Sequence, residues 1–515
     1  MKKELIFKNL PFLLIFIFSI LVLASRSTNY FVGDLSHLTL NSSYNLFQNG
    51  EYNYGNSKNY STAVKNSPLF SIILSMVFKV VFSIYNLSPD NLVIVSIYVV
   101  NIIFVISVVI FFDLIKKFTN SVNAILITFL FFLNEGILNS LLKISSEIIG
   151  VFLLIAWLNS FIRFLDTKNI NYYFLIILFN SLMFTSRYQL LIIHLYGIIT
   201  IIYLSRKHRY NLFVALFPLY TLGLNFYFNY KVSSNILGHP SGVKGDALGD
   251  LTKRFLNLIL NFFNYDILGN FVFIVLVILF IFTFKYVFNE QQKLETFFKN
   301  LYRPNFDFIL FFVFFLGNMF LLIMTLNLNK ADALSFRYAV YYFLFFAISL
   351  TFVSNKFKSI QVLIGVVVIS NFLSIQATLK PGSYLDNCHC SDFSPTTIAY
   401  IEENLQFDNI LGSRYLTQIW YSKYEGLMIG IPFYSDYNKA YERNLYLDEE
   451  KFLEIIKEKD IEYIVFFEGK DKVDRFATRN NYGDFIGSFY FEKSSYIKNI
   501  IQLDDGKVIQ IKKNQ

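Results

Sequence analysis

Apolar residues in this chain come in long blocks, not at the alternating or helical-face spacing of a half-buried soluble element. The blocks include Phe12–Leu23, Leu92–Phe112, Phe271–Phe284, Phe308–Met324 and Tyr338–Val353. Some approach the roughly 20 residues that cross a hydrocarbon layer, and others reach it with their flanks. Further segments are shorter or carry Asn or Ser, as is usual where helices pack on one another. The pattern predicts an α-helical polytopic membrane protein of about 11–13 spans.

The polar connections give an orientation. Met1-Lys2-Lys3-Glu4 and Lys8 precede the first apolar run, which Arg26 follows in place of a small-residue cleavage site. This reads as an uncleaved first helix with its N-terminus inside. The most basic turns are Arg206-Lys207-His208-Arg209, Lys285 through Arg303, and Lys356 with Lys358, and these go inside; Lys116-Lys117 and Arg163 with Lys168 also look internal. Loops 25–67, 231–264 and 327–337 then fall outside. One conflict stands: three apolar segments lie between Ser67 and Asn134, and an odd number of spans there would invert everything downstream. Either one segment is re-entrant or interfacial, or Lys116-Lys117 lies outside.

From about Gln376 the chain changes character, with charge density returning to the ordinary quarter. Ile461–Phe467 and Lys507–Ile511 are short strand-like stretches, the latter apolar at every second residue, and Glu449–Lys457 has helical spacing. The expected organisation is a transmembrane domain over 1–375 and a small extracytoplasmic α/β domain over 376–515. No internal repeat stands out, which weighs against an inverted-repeat transporter.

Composition adds exclusions. The 515 residues are 55% hydrophobic and 16% charged, with a mean hydropathy of +0.46. The net charge of +8 sits mainly between spans as orientation signals do, with no basic stripe, so nucleic acid is not a partner. The 61 Phe and 35 Tyr suit a coding bias better than a sugar-stacking surface. The two cysteines, in Cys388-His389-Cys390, cannot build a disulfide framework, and so tight a trio does not close a tetrahedral metal site alone.

Candidate chemistry concentrates in the first outer loop. It reads Gly33-Asp34-Leu35-Ser36-His37, then Tyr44-Asn45-Leu46-Phe47-Gln48-Asn49-Gly50-Glu51-Tyr52, then Asn66-Ser67-Pro68-Leu69-Phe70. An acid at the membrane boundary can take a proton from an incoming hydroxyl or amine; a solvated loop acid or helix N-cap is the plainer alternative. Elsewhere Ser145-Ser146-Glu147 opens a helix, Arg187-Tyr188 stands mid-chain, and Ser335-Phe336-Arg337-Tyr338 enters a late one. His239-Pro240-Ser241-Gly242-Val243-Lys244-Gly245 lacks the spacing of a Walker loop and fits a substrate gate or an ordinary flexible loop.

In this order of features the sequence resembles the membrane-embedded glycosyltransferases of the GT-C fold, closest to their bacterial protein-mannosyltransferase-like and aminoarabinose-transferase-like branch. The resemblance covers nearly the whole chain as an architecture through short motifs. It implies transfer of a sugar from a polyprenyl-phosphate donor to a glycan, lipid or protein on the outer face of the cytoplasmic membrane. Asp34 is then the general base of an inverting displacement. The family often has a second acid next to that Asp, where Leu35 stands here. A divalent metal is therefore not required, and His37 could partly substitute. Negative charge growing on the lipid phosphate calls for a cation in a site of low dielectric. Arg337, Arg187 and Lys330 are the candidates, though each could instead snorkel to headgroups. Glu147 could orient one of them or cap its own helix, and Tyr44, Tyr188 and Tyr338 complete the expected substrate-binding set. A transporter or flippase, or a polymerase or ligase of lipid-linked glycans, is the competing class.

Overall fold

The structure is a computed structural model. It describes residues 2–25, 34–48, 50, 52, 68–85, 91–233, 248–263, 281, 311, 315–317, 336–378, 395–413, 428–431, 456–467 and 496–512. Helices dominate in chain order: α1 (Lys2–Ser25), α2 (Asp34–Gln48), α3 (Leu69–Tyr85), α4 (Asn91–Lys116), α5 (Ser121–Phe132), α6 (Glu135–Leu141), α7 (Glu147–Thr167), α8 (Ile170–Ser186), α9 (Leu191–His208), α10 (Leu212–Ala215), α11 (Phe217–Ser233) and α12 (Leu248–Phe262). After them come α13 (Phe336–Lys356), α14 (Lys358–Thr378) and α15 (Pro395–Asn404), then strands β1 (Ile410–Ser413), β2 (Met428–Ile431), β3 (Tyr463–Phe467), β4 (Ile497–Leu503) and β5 (Gly506–Ile511).

Among the described residues five helical stretches are long and apolar enough to cross a membrane: Ile94–Lys116, Glu147–Thr167, Tyr188–His208, Leu212–Lys231 and Tyr338–Lys356. The pair α5 and α6 adds a sixth, bent by 69°. Leu10–Leu23, Leu69–Tyr85, Ile170–Ser186 and Lys358–Ser374 are shorter apolar helices. The blocks Phe271–Phe284 and Phe308–Met324 lie almost wholly outside the described residues.

The chain divides into two compact units. The first holds Met1–Tyr30, Tyr98–Asn225 and Pro240–Tyr384, and the second holds Phe31–Ile97, Phe226–His239 and Leu385–Gln515.

In the first unit, polar side chains start, stop and break the helices. Asn120 accepts from the Asn123 amide and starts α5. Asn134, itself in extended conformation, accepts from the Ile137 amide and starts α6, so the bend is a recapped break. Lys168 adopts a left-handed conformation at φ 56° to close α7.

Side-chain contacts then sort the helix ends of this unit into two sets. At one end Arg163 Nη2 lies 2.6 Å from Asp113 Oδ2, and Asn123 Nδ2 donates to Ser354 Oγ at 2.7 Å. Asn355 donates to the Phe118 carbonyl at 2.7 Å, and the Tyr173 hydroxyl meets Ser205 Oγ at 2.6 Å. Joined here are the C-termini of α4, α7, α9 and α13 and the N-termini of α5 and α8. At the opposite end Asn134 Nδ2 donates to the Asn261 and Phe262 carbonyls at 3.3 and 3.1 Å. Ser374 Oγ donates to Glu135 Oε2 there at 3.4 Å. The first set carries Lys116, Lys117, Arg163, Lys168, Arg206, Lys207, Arg209 and Lys356, and is called the basic end below.

This sorting bears on where Lys116-Lys117 lie. Near the start of α1, Phe12 packs edge-on against Phe112 at 4.9 Å, and Lys116 Nζ stands 4.8 Å from the Phe12 ring. Further along, Phe18 meets Phe129 and Phe372. Helix α1 therefore leaves the basic end and α4 returns to it. The connection between them starts and finishes at the opposite end. Lys116-Lys117 thus stay with the other basic turns, and α3 lies on the connection between α1 and α4.

In the second unit α2 and α3 form a pair. Ser42 Oγ and Ser71 Oγ share a 2.7 Å hydrogen bond, and Phe47 packs on Phe78 and Phe82. The tail residues of this unit form a five-stranded sheet in the order β2-β1-β3-β5-β4. Strands β1, β2 and β3 run parallel, and β5 pairs antiparallel with β3 and β4. Ile401, Leu405, Ile410, Val465 and Val508 are its core. Asp505, in the turn between β4 and β5, caps α15 from outside by accepting from the Thr396 and Thr397 amides at 2.9 Å each. The stretches expected at 461–467 and 507–511 become β3 and β5. The expected helix at Glu449–Lys457 lies mostly outside the described residues, as do Cys388-His389-Cys390 and the 239–245 loop.

Candidate active site

At the end of the first unit opposite the basic turns, α8 stops and the backbone swings out. Arg187 is extended there at φ −158° and ψ 127°, and a single 3-10 turn over Tyr188–Leu190 leads into α9. That swing aims the Arg187 side chain at the start of α7. Its Nη2 lies 2.7 Å from Glu147 Oε1, and its Nη1 donates to Ser146 Oγ at 3.2 Å. The two charged side chains are 5% and 1% exposed. Ser146 stands at the N-cap of α7 and makes no side-chain capping bond; its hydroxyl accepts from arginine instead. Arg187 Nε is buried with no hydrogen-bond partner among the described residues.

The opening turns of α13 pack against this pair. The Tyr342 hydroxyl donates to the Gln189 carbonyl at 3.3 Å. One turn beyond Glu147, a Cβ on Gly150 would lie 2.8 Å from the Tyr341 hydroxyl and 2.9 Å from its ring. Glycine is what lets the ring sit against α7. Tyr338 is buried at 8% exposure, and Tyr188 packs its ring 5.3 Å from Phe184. A buried ion pair of this kind costs several kcal/mol of desolvation per charge, recovered only with good geometry and further hydrogen bonds. Arg187 and Glu147 have that geometry. The arrangement fixes a carboxylate and a guanidinium in a dry setting, where each acts strongly on any charge brought beside it.

Two short sequence steps thus meet, Ser146-Glu147 and Arg187-Tyr188, with Tyr341 and Tyr342 of α13 packed beside them. Arg337 lies in the first turn of α13, and its side chain is outside the described residues, as is all of Lys330. Asp34 is the first residue of α2; its side chain and that of His37 are likewise outside the described residues. Tyr44 is half-buried on α2 with its ring 6.3 Å from Phe47. Burial raises its phenol above the ordinary 10, and a hydrogen bond with Gln48 partly offsets this. Asp34, His37 and Tyr44 belong to the second unit, and Glu147, Arg187, Tyr188, Arg337 and Tyr338 to the first. Sequence reasoning missed Tyr341, Tyr342 and Gly150. Two tyrosines among 35 carry no signal of their own, but a glycine one turn after Glu147 was a legible hint of close packing. Among the described residues no group of three or more His, Cys, Asp or Glu could hold a metal ion.

No protein-family model and no curated protein matches the sequence. Solved structures do match the fold. ArnT from Cupriavidus metallidurans in the apo state superposes with a TM-score of 0.61 at 10% identity, over 96% of this chain and 97% of that one. The same protein bound to undecaprenyl phosphate gives 0.55 at 9% identity, over 99% and 98%. The chain has the GT-C fold. A second GT-C protein, the oligosaccharyltransferase AglB from Archaeoglobus fulgidus in complex with an inhibitory peptide and a dolichol-phosphate, matches at 0.50 and 12% identity, over 92% of this chain and 71% of that one.

Proposed function

We propose that this protein is an integral membrane glycosyltransferase. It moves a sugar from a polyprenyl-phosphate donor to a glycan, lipid or protein acceptor on the outer face of the cytoplasmic membrane. The observation that carries the reading is the end-to-end likeness to a GT-C structure bound to undecaprenyl phosphate, supported by a second holding a dolichol-phosphate. Both ligands are polyprenyl phosphates. The basic end of the helices faces the cytoplasm by the charge bias of polytopic proteins. The Glu147–Arg187 pair and the tail sheet then belong to the outer side.

In the reaction the acceptor's hydroxyl or amine attacks the anomeric carbon, and the bond from that carbon to the phosphate oxygen breaks. Asp34 takes the acceptor's proton, and the polyprenyl phosphate leaves with the bonding electrons. One base and one good leaving group suffice for a single displacement, so the anomeric configuration inverts. Arg187, Arg337 and Lys330 supply positive charge for the departing phosphate, Glu147 orients Arg187, and His37, Tyr44, Tyr188 and Tyr338 line the substrate path. The test is Asp34→Asn in purified protein. Transfer should fall by at least about a hundredfold, the usual worth of a positioned base, with the thermal unfolding curve unchanged. Undiminished transfer would remove Asp34 from the mechanism.

A further inference from the structure

Helices α8 and α9 form a hairpin with Arg187 at its tip, and inside that hairpin lie two polar side chains that the proposed chemistry does not use. Asn180 on α8 and His194 on α9 are both fully buried. They hold each other reciprocally. Asn180 Nδ2 donates to the His194 carbonyl at 3.2 Å, and His194 Nδ1 lies 2.7 Å from the Asn180 carbonyl. A carbonyl only accepts, so the imidazole carries a proton on Nδ1 and donates it there. Each side chain is thus tied to the other residue's backbone, across two helices. Polar groups within spans are expensive and persist where they pair with one another or with backbone carbonyls.

The backbone makes room for this clasp. A Cβ on Gly197 would lie 2.7 Å from Asn180 Cγ, so glycine is what lets the amide cross to α9. The clasp is also centred on the tip. Asn180 stands seven residues before Arg187 and His194 seven after it, close to two helical turns on either side, which puts the clasp about 10 Å below the tip. Phe184 fills the interval. Its ring is stacked on His194 at 6.3 Å and lies 5.3 Å from the Tyr188 ring. Arginine is a good helix former, so the extended backbone at Arg187 is imposed by the way α8 and α9 meet. A second polar contact joins the same two helices far from the tip, the 2.6 Å hydrogen bond between the Tyr173 hydroxyl and Ser205 Oγ at the basic end. It ties the hairpin without reaching Arg187, and so supplies a control.

We propose that Asn180 and His194 are positioning residues. Their clasp sets the seating of α8 on α9 and, through Phe184 and Tyr188, keeps Arg187 extended with its guanidinium on Glu147. The consequence for turnover rests on the glycosyltransferase reading; the hold on the Arg187 turn does not.

The experiment uses the full chain in detergent, with amide hydrogen exchange over 187–190 and donor turnover read on the same samples. His194→Leu deletes the ring donor, whereas His194→Asn keeps one, because an asparagine Nδ2 can take the place of the imidazole Nδ1. His194→Leu should speed exchange at 187–190 by about tenfold or more, as local opening of a loosened turn does. Its kcat should fall by about a hundredfold with the donor KM nearly unchanged, the usual consequence of misplacing a group by about 1 Å. His194→Asn should restore both readouts. Tyr173→Phe should leave exchange at 187–190 and turnover at wild-type values. Gly197→Ala, which displaces the Asn180 amide and deletes no polar group, should reproduce His194→Leu and replaces it if that variant does not fold. Wild-type exchange at 187–190 in the folded clasp variants, or equal loosening by Tyr173→Phe, would reduce the clasp to ordinary helix packing and overturn the proposal. A wild type that consumes no donor sinks the glycosyltransferase reading instead, while the exchange pattern still decides whether the clasp holds Arg187.

Discussion

Breaking the Glu147–Arg187 pair is the perturbation with the largest consequence that can be worked from the structure. Both side chains are almost fully enclosed (5% and 1% exposed) and 2.7 Å apart, so removing one takes from a buried charge the counter-ion it holds at that distance. Glu147→Leu takes the carboxylate from the guanidinium and leaves it the Ser146 Oγ bond; Arg187→Met takes the guanidinium from the carboxylate. Loss of one member of such a pair costs about 3–5 kcal/mol, or two to three and a half decades in the folding equilibrium at about 1.4 kcal/mol per decade. The double variant E147L/R187M removes both charges and keeps the volume, and such replacements are often neutral or stabilising. Reversible unfolding of the four proteins in one detergent closes the cycle. Each single variant should be strongly destabilised and the double should recover most of the loss, a coupling of several kcal/mol. The double should still fail to turn over donor, because charge at this end is what the proposed chemistry uses. Single variants that cost less than about 1 kcal/mol, or single effects that merely add in the double, would refute the buried-pair reasoning.

Gly150→Ala forces a Cβ to 2.8 Å from the Tyr341 hydroxyl and should cost about 1–3 kcal/mol as overpacking does; pairing it with Tyr341→Ala should be less harmful than the sum of the two, read by the same unfolding assay. Asn134→Ala loses the α6 cap and both bonds to the end of α12. It should cost about 1–2 kcal/mol and speed amide exchange in 135–141 and 258–263. Asp505→Ala uncaps α15 and should cost about 0.5–2 kcal/mol, with faster exchange confined to the tail sheet and its helix. In that sheet burial, then the nearby Asp408, Tyr400 and Glu462 charges, raise the Tyr463 phenol above 10. The neutral form is the one folding favours, so its contribution is intact below pH 10 and is lost as pH rises through the higher folded value. Tyr463→Phe should flatten the rise in strand exchange measured above pH 10.

The helical architecture was legible because lipid forces long apolar runs, and nothing else explains Leu92–Phe112 or Tyr338–Val353. The strands at 463–467 and 506–511 were legible for the same kind of reason, a two-sided sheet beside water. The role of α3 was not. Its composition is as apolar as a span, and only its pairing with α2, Ser42 with Ser71 and Phe47 with Phe78, shows what it packs against. In the candidate site, Glu147 and Arg187 stood out singly as charges at span ends. That they meet depends on the extended turn at Arg187, set by tertiary packing rather than by any residue preference. Tyr341 and Tyr342 were invisible for the opposite reason, being aromatic residues in a chain full of them.

Incubating the purified protein with a panel of polyprenyl-phosphate sugars, and following release of the free polyprenyl phosphate by mass spectrometry, tests the central claim most directly. The account predicts that at least one donor is consumed by the wild type, with the phosphate released and the sugar's anomeric configuration inverted in the product, and that Asp34→Asn leaves that donor intact. A folded wild-type protein that consumes no donor on the panel, or a retained configuration in the product, would contradict it.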